Sequence, residues 1–537
     1  MYITDSLAII AIIFLIILLA FEFKRNVTML QQNSYRPERY YKWLRLSGDS
    51  TSYPRLIGIF IFLFCLSSFN AKRVSLLILI VFAICLIALL AKKKYKKPLV
   101  YTKRVIRILT VIALQVAIVC AGALLITHYG LFGKTNLLYA GAVTLLFVYV
   151  ISHIFIFSTL FVLSPVERHI NNKFYKSAKN KLAGMPDLKI IGITGSYGKT
   201  STKHYLFRIL NSEYETLMTP GSFNTTLGVV RTVNEYLKPY HEAFIVEMGA
   251  KQKGDIKEIC DLVKPSIGII TAVGPQHLET FKTIENVRDT KFELVDSLPH
   301  NGLAVLDNDY EIIAKRQVNN CHSLRYGCEN VCKSADYVAT DIKYTQSGTI
   351  FKLQCPDGQL IEFETPLLGE YNISNLVAAI ITAHKLGVPE DKIKISVGMM
   401  EPVEHRLEIR RFANGLTIID DAFNSNPKGA SMAVEVLKNM TGGRRIIITP
   451  GMIELGEEQY RLNKEFGYKI AGAGIEYTAI VGHYNKEAIL EGLTEGGCSA
   501  DNILFFDTFL DANAWMTAFA TPGDIVLIEN DLPDTFK

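Results

Sequence analysis

The strongest constraint on this chain is a break in its composition near residue 164. Five apolar runs, at 7–23, 56–69, 74–91, 108–127 and 137–163, all lie before it. A bilayer core takes roughly 20 apolar helical residues, about 17–25. Four runs meet that length, and the second is short enough to be a re-entrant or tilted segment. The first run has no basic leader and no small-residue cleavage site, and Lys24 and Arg25 follow it, so it reads as a span rather than a signal peptide. Residues 1–163 are therefore expected to form an α-helical membrane region of about five spans.

Charge orients it. The segment after the first run carries Lys24, Arg25, Arg36, Arg39, Lys42, Arg45 and Arg55. The segment after the third carries Lys92, Lys93, Lys94, Lys96, Lys97, Lys103 and Arg104. The other connections hold only Lys72 and Arg73, and then Lys134. Positive charge favours the cytoplasmic side, so the N-terminus is expected outside and everything past residue 164 in the cytoplasm. The basic loops serve as simple anchors or as a site for lipid headgroups or pyrophosphate. A net charge of +5 over 537 residues is too small for a dedicated nucleic-acid binder. Nine cysteines form no CxxC pair. Cys321, Cys328 and Cys332 are close together, but no His or second pair completes a zinc spacing.

After Pro165 short β-branched runs alternate with amphipathic stretches. Strands are expected at 189–193, 243–247, 267–271, 303–306, 445–449, 478–481, 503–506 and 525–528. Helical patterns fall between many of them, as at 200–210, 286–298 and 373–386. The alternation predicts parallel α/β sheets. Two sheets are expected, divided near 400–402 in the stretch MMEPVEHR, with 164–187 as a linker.

Residues 190–203 read IIGITGSYGKTSTK. The common phosphate-loop spelling puts its first Gly five residues before the Gly-Lys-Ser/Thr, where this chain has Ile193. The context still suits a phosphate site. A strand at 190–193, a Gly-rich turn at 194–198 and a helix from Lys199 present backbone N–H groups to an anion. Lys199 can reach the β/γ-phosphates and Thr200 can ligate Mg²⁺. Glu247 ends an apolar strand and is either a metal-facing acid or a solvated strand end. His277 follows the next strand across a short loop, and a lone His is more often structural than a ligand. Lys291 alone would read as a helix-surface lysine.

The shortened spacing TGSYGKT resembles the ATP loop of the Mur ligase family, which builds the peptide stem of bacterial peptidoglycan. Further blocks follow in that family's order: TPGSFNTTLGVV (219–230), VEMGAKQKGDI (246–256), VGPQHLETF (273–281), TKFELVDSLPHNGLAVLDNDY (290–310), GEYNISNLVAAI (369–380), DDAFNSNPKGASMAV (420–434) and MIELGEEQ (452–459). The resemblance implies a P-loop ATPase-type central domain at 188–400 and a Rossmann-like C-terminal domain at 401–537. It also implies an ATP-dependent amide ligase that activates a carboxylate as an acyl phosphate. Thr194, Gly195, Gly198, Lys199, Thr200 and Ser201 would meet phosphates. Asn372, Asn375, Asp421, Asn424 and Asn426 would meet the nucleoside, and Arg406 the γ-phosphate from across the domain boundary. Thr200, Glu247, His277 and Lys291 would hold Mg²⁺, with two ions expected and Lys291 carbamylated. Lys199, Lys291, His277 and Arg406 form the catalytic set.

The implied partners are a muropeptide acceptor and D-alanyl-D-alanine or a similar amine, at the bacterial plasma membrane. About 25 residues separate the last apolar run from the P-loop strand. The family's UDP-binding domain is therefore expected to be missing, its place taken by the membrane region. That leaves open whether the acceptor is UDP-linked or polyprenyl-linked and touching lipid. Three departures concern the amine end: His405 stands where the family has Gly before Arg406, Gly451 where it has Asp, and 528–532 reads IENDL where it has a Lys- and Arg-bearing block. A ligase for another envelope polymer, of the poly-γ-glutamate type, and a nucleotide-dependent envelope scaffold are the competing readings.

Overall fold

The computed structural model describes residues 2–67, 71–93, 95, 97–129, 136–276, 278–328, 335–344, 348–404, 406–422, 425–440 and 442–531. The chain divides into two compact units, the first covering Met1–Ile170 and the second Asn171–Asp531.

The first unit is helical: α1 (Tyr2–Gln32), α2 (Pro37–Leu46), α3 (Tyr53–Ser67), α4 (Lys72–Lys92), α5 (Lys103–His128), α6 (Leu137–Val150) and the start of α7 (Ser152–Ala183). The expectation of five spans needs correction. Among the described residues three helices, α1, α4 and α5, are long and apolar enough to cross a membrane. The second apolar run makes α3, only 15 residues long. The fifth run is broken at Ile151, where α6 and α7 meet at a 73° bend, so the count reaches four if that pair is one span.

A buried polar network sits at the bend. Arg55 Nη1 donates to the carbonyls of Tyr149 at 2.9 Å and Val150 at 3.2 Å, and to Ser152 Oγ at 3.1 Å. These bonds satisfy carbonyls that the end of α6 leaves without helical partners. Glu22 and Asp49 pair with the same guanidinium, and His153 Nε2 lies 3.0 Å from Asp49. Glu22, Asp49 and His153 are spaced as metal ligands would be, but Arg55 already supplies the cation there. The composition break at Pro165 is not a structural break, because Pro165 lies inside α7 and most of the expected linker is helical.

Among the described residues the second unit holds two sheets. The first has nine strands: β1 (Lys189–Thr194), β2 (Thr216–Met218), β3 (Ala243–Glu247), β4 (Ile267–Ile270), β5 (Leu303–Asp307), β6 (His322–Cys328), β7 (Tyr337–Tyr344), β8 (Thr349–Gln354) and β9 (Leu360–Thr365). Their order is 2-3-1-4-5-6-7-8-9. Pairing is parallel from β2 through β7, in registers such as Ile193↔Glu247 and Thr194↔Ile270, and antiparallel at β7–β8 and β8–β9. The central strands are apolar on both faces, as parallel strands between helical layers must be. Ile191, Ile193 and Ile245 pack with α8 (Lys199–Leu210), α14 (Glu370–Lys385) and α15 (Glu390–Gly398). Ile190, Phe244 and Val246 pack with α9 (Thr226–Glu235), α10 (Asp255–Val263), α12 (Ile284–Asp296) and the end of α7. Two short helices, α11 (Leu278–Phe281) and α13 (Glu311–Ala314), complete this part.

The second sheet has six strands: β10 (Glu408–Arg411), β11 (Thr417–Asp421), β12 (Arg445–Thr449), β13 (Tyr477–Val481), β14 (Ile503–Phe506) and β15 (Ile525–Glu529). Their order is 10-11-15-12-13-14, parallel except at β10–β11. Helices α16 (Pro427–Asn439), α17 (Gln459–Gly472) and α18 (Lys486–Glu495) cover one face, and α19 (Phe509–Phe519) the other. In the first sheet the neighbours of β1 lead the chain off in opposite directions. The crevice at its carboxyl end is therefore where an α/β sheet binds ligands.

Candidate active site

The loop after β1 takes its shape from two missing side chains. A Cβ on Gly195 would meet Thr271 Oγ1 at 2.2 Å, and one on Gly198 would meet Asn375 Oδ1 at 2.1 Å. Gly198 also has φ +79°, which glycine adopts at no steric cost. The loop thus closes between the end of β4 and α14. Thr194 Oγ1 donates to the Met248 carbonyl at 2.9 Å, and Ser196 Oγ donates to the Gly274 carbonyl at 3.1 Å. The Thr194 side chain is thereby committed to the fold, and Ser201 is buried in the first turn of α8. What this turn offers an anion is its backbone N–H groups, unpaired at any helix start.

Around the loop the structure gathers most of the expected residues. Lys199 Nζ folds back, donating to the Gly195 carbonyl at 2.6 Å and the Ser196 carbonyl at 3.3 Å. Burial lowers its pKa to about 8, with Glu247 opposing and Arg406 adding. Thr200 Oγ1 donates to Glu247 Oε2 at 3.1 Å. Glu247 is buried, so it is not a solvated strand end. Burial pushes its carboxyl up, but Lys203 and Lys199 outweigh that and hold it below the ordinary carboxylate range. Lys291 is buried on α12 rather than exposed on a helix surface. Burial and then Lys199 drive its amine far below the usual lysine pKa, against Asp255 and Glu293. His277 lies outside the described residues.

The nucleoside candidates separate. Asn372 is committed at both ends, accepting from Tyr205 Oη at 3.0 Å and donating to the Leu368 carbonyl at 2.9 Å. Asn375 Oδ1 accepts from Thr202 Oγ1 at 3.2 Å, while its Nδ2 is buried with no hydrogen-bond partner among the described residues. Such an orphaned donor costs stability unless a ligand takes it up. Asp421 accepts from the Leu407 N–H at 3.2 Å. Burial pushes its carboxyl up to about 6, against Arg406. Asn426 accepts from the Gly429 N–H at 2.8 Å as the N-cap of α16, the capping role its sequence also suits. Arg406 acts electrostatically on Lys199, Tyr205, Tyr371 and Asp421, so it joins the site from the segment between the sheets. Asn424 and His405 lie outside the described residues.

Two residues absent from the sequence-derived site stand at its centre. Lys203 is fully buried, 2.9 Å from Glu247 Oε2, and donates to the carbonyls of Thr219 at 3.0 Å and Gly221 at 2.7 Å. Asn224 Nδ2 donates to Glu247 Oε1 at 3.1 Å. The signal for Lys203 was its place one helical turn after Lys199. The amine-end departures also converge. Glu529 is buried and accepts from Thr449 Oγ1 at 2.6 Å and from Ser425 Oγ. Burial pushes its carboxyl up to about 7. Asn530 Nδ2 donates to the Gly451 carbonyl at 2.6 Å. A Cβ on Gly451 would meet Asn463 Oδ1 at 2.4 Å, so the family's Asp does not fit this geometry.

The strand–loop–helix phosphate cradle, the buried acid beside Thr200 and the arginine from between the sheets define a nucleotide-phosphate site built on a P-loop. Residues 193–383 match the Mur ligase middle domain, and residues 405–529 match the Mur ligase, glutamate ligase domain. The chain belongs to the Mur ligase family. A UDP-N-acetylmuramoyl-tripeptide–D-alanyl-D-alanine ligase of Bacillus subtilis (strain 168) is 29% identical over 340 residues, covering 59% of this chain and 72% of the relative. The enzyme of the same name from Escherichia coli (strain K12) is 31% identical over 301 residues, covering 55% of this chain and only 64% of the relative. Among solved structures, MurF ligase of Thermotoga maritima in complex with ADP superposes with a TM-score of 0.60 at 25% identity, covering 67% of this chain and 80% of that one.

Proposed function

We propose that this chain is an ATP-dependent peptide ligase joining D-alanyl-D-alanine, or a similar amine, to the tripeptide carboxylate of a UDP-N-acetylmuramoyl acceptor. The observation that carries it is the convergence of Lys199, Thr200, Glu247, Lys291 and Arg406 on one P-loop, in a chain whose relatives carry that ligase's name. Reaction proceeds by transfer of the γ-phosphoryl group to the acceptor carboxylate, releasing ADP. The amine then attacks the acyl phosphate carbonyl, loses a proton, and phosphate departs. Lys199, freed from the loop carbonyls, and Arg406 neutralise the phosphoryl oxygens. Asn375 Nδ2 donates to the nucleoside.

Thr200 Oγ1 and Glu247 bring two hard oxygens together at the carboxyl edge of the sheet, a donor set that fits Mg²⁺. His277 and Lys291 would complete the set, Lys291 as a carbamate, and Mg²⁺ there would supply charge neutralisation for phosphoryl transfer. A neutral buried amine is the form that adds CO₂, which is why the depressed Lys291 matters. Asp421 and Asn426 hold the nucleoside-facing segment of the C-terminal domain in shape. The domain boundary falls between α15 and β10, with the central domain at 188–400.

The helical unit anchors the enzyme in the membrane through α1, α4 and α5 and the bent α6–α7 pair, with the ligase half on the basic, cytoplasmic side. Trapping tests the chemistry. Full-length protein given ATP, Mg²⁺ and acceptor but no amine, then borohydride, should yield the acceptor reduced at its terminal carboxyl. Unreduced acceptor, with ATP bound, would overturn the acyl-phosphate route.

A further inference from the structure

The reacting carboxylate must arrive beside Thr200 and Arg406, and a groove of ≈ 820 Å³ opens at those two residues. That size lies within the usual range for ligand sites, about 300–1,000 Å³. The groove follows the outer side of α8 from Thr200 past His204 and Arg208 to Asn211. At 1.5 Å per residue this is a run of about 17 Å. An extended tripeptide spans at most about 11 Å, so the groove takes a tripeptide with room for the group it hangs from.

Its lining suits a peptide. Phe207, Met218 and Met400 form an apolar floor. Ile395 and Met399, four residues apart at the end of α15, are 62% and 61% exposed at the rim. His204 stays neutral, because burial and then Lys203 lower its pKa to about 4, and so it offers one donor and one acceptor. Arg208 lies eight residues from Thr200, about 12 Å along the helix. It pairs with the exposed Glu401 at 3.7 Å, a surface contact worth little. The guanidinium is available to exchange it for a ligand's carboxylate.

Resting on the ligase reading, we propose that this groove binds the peptide arm of the acceptor, its C-terminal carboxylate at Thr200 and Arg406 and a second carboxylate at Arg208. Recognition then lies in the peptide rather than in the nucleotide end.

The test uses the full chain in detergent with ATP, Mg²⁺ and D-alanyl-D-alanine, comparing UDP-muramoyl-tripeptide with muramoyl-tripeptide lacking UDP. The expected result is kcat/KM values within about tenfold of each other, since both present the same arm. Arg208→Glu and Met399→Asp, both at exposed or half-exposed positions, should each raise the acceptor KM at least tenfold while leaving the KM for ATP unchanged. Loss of more than a hundredfold on removing UDP, or an unchanged acceptor KM in both variants, overturns the groove and leaves the ligase reading standing. Absence of product with either acceptor, in a protein that binds ATP, overturns the ligase reading and the groove with it.

Discussion

Replacing Lys203 with Met removes the buried cation that holds Glu247. Lys203 and Glu247 are both buried and 2.9 Å apart. Removing one partner of a buried ion pair costs about 3–5 kcal/mol, chiefly because the other charge is left uncompensated. The carbonyls of Thr219 and Gly221 lose their donor as well, at roughly 1 kcal/mol each. For a unit of this size the melting transition should fall by on the order of 5–10 °C. The loss has a definite pH dependence. In the native protein the Glu247 carboxyl is held below its ordinary pKa. Its stabilisation is therefore present above the unfolded carboxylate pKa and lost as pH falls through the folded value. In the variant burial dominates and the folded pKa moves above the unfolded one. The cost of the orphaned charge then grows as pH rises, so the gap to wild type should widen from pH 5 to pH 8. Adding Glu247→Gln removes the orphaned charge but not the two lost carbonyl bonds, and should recover roughly half the loss at pH 8. Thermal melts of wild type, both single variants and the double variant at the two pH values decide it. A gap that narrows with pH, or a double variant no more stable than Lys203→Met, refutes the reasoning.

Three further outcomes follow from the same site. Asn375→Ala removes the orphaned Nδ2 donor and should weaken ATP binding about five- to tenfold, one neutral hydrogen bond; titration calorimetry reads it. Glu529 is pushed up to about 7, so the native state keeps a proton that the unfolded chain loses above about pH 4.3. Wild-type stability should fall as pH rises through that window, by up to about 1.4 kcal/mol per pH unit. Glu529→Gln should lose this slope and gain on wild type between pH 5 and pH 8 in denaturant melts. Lys291, its amine driven neutral by burial, should take up ¹³C from labelled bicarbonate as a carbamate signal that Lys291→Arg lacks.

The parallel cores were legible in the sequence because strands buried on both faces read as unbroken β-branched runs. Residues 243–247 and 445–449 were expected with the bounds they have. Strands β8 and β9 were missed because only one face of each is buried. Phe351 and Leu353 alternate with half-buried residues, Ile361 and Phe363 with exposed ones, and they form no continuous run. The P-loop was legible from its spacing, and the reason for that spacing, the approach of Thr271 and Asn375, appears only in three dimensions. Lys203 stayed hidden because a lysine on a helix reads as surface until its burial is known. The five-span expectation drops to three helices, or four with the bent pair, because α3 is only 15 residues long and because hydropathy sees the 137–163 run but not the 73° bend within it.

The central claim is that this chain makes an amide bond at the expense of ATP. The most direct measurement is the product mass after incubating the full-length protein with ATP, Mg²⁺, bicarbonate, UDP-N-acetylmuramoyl-tripeptide and D-alanyl-D-alanine, beside a Lys199→Ala blank. The expected product is heavier than the acceptor by the dipeptide less one water, is formed with one ADP per bond and is absent from the blank. No such product from a protein that binds ATP, or the same product from the blank, would contradict that claim.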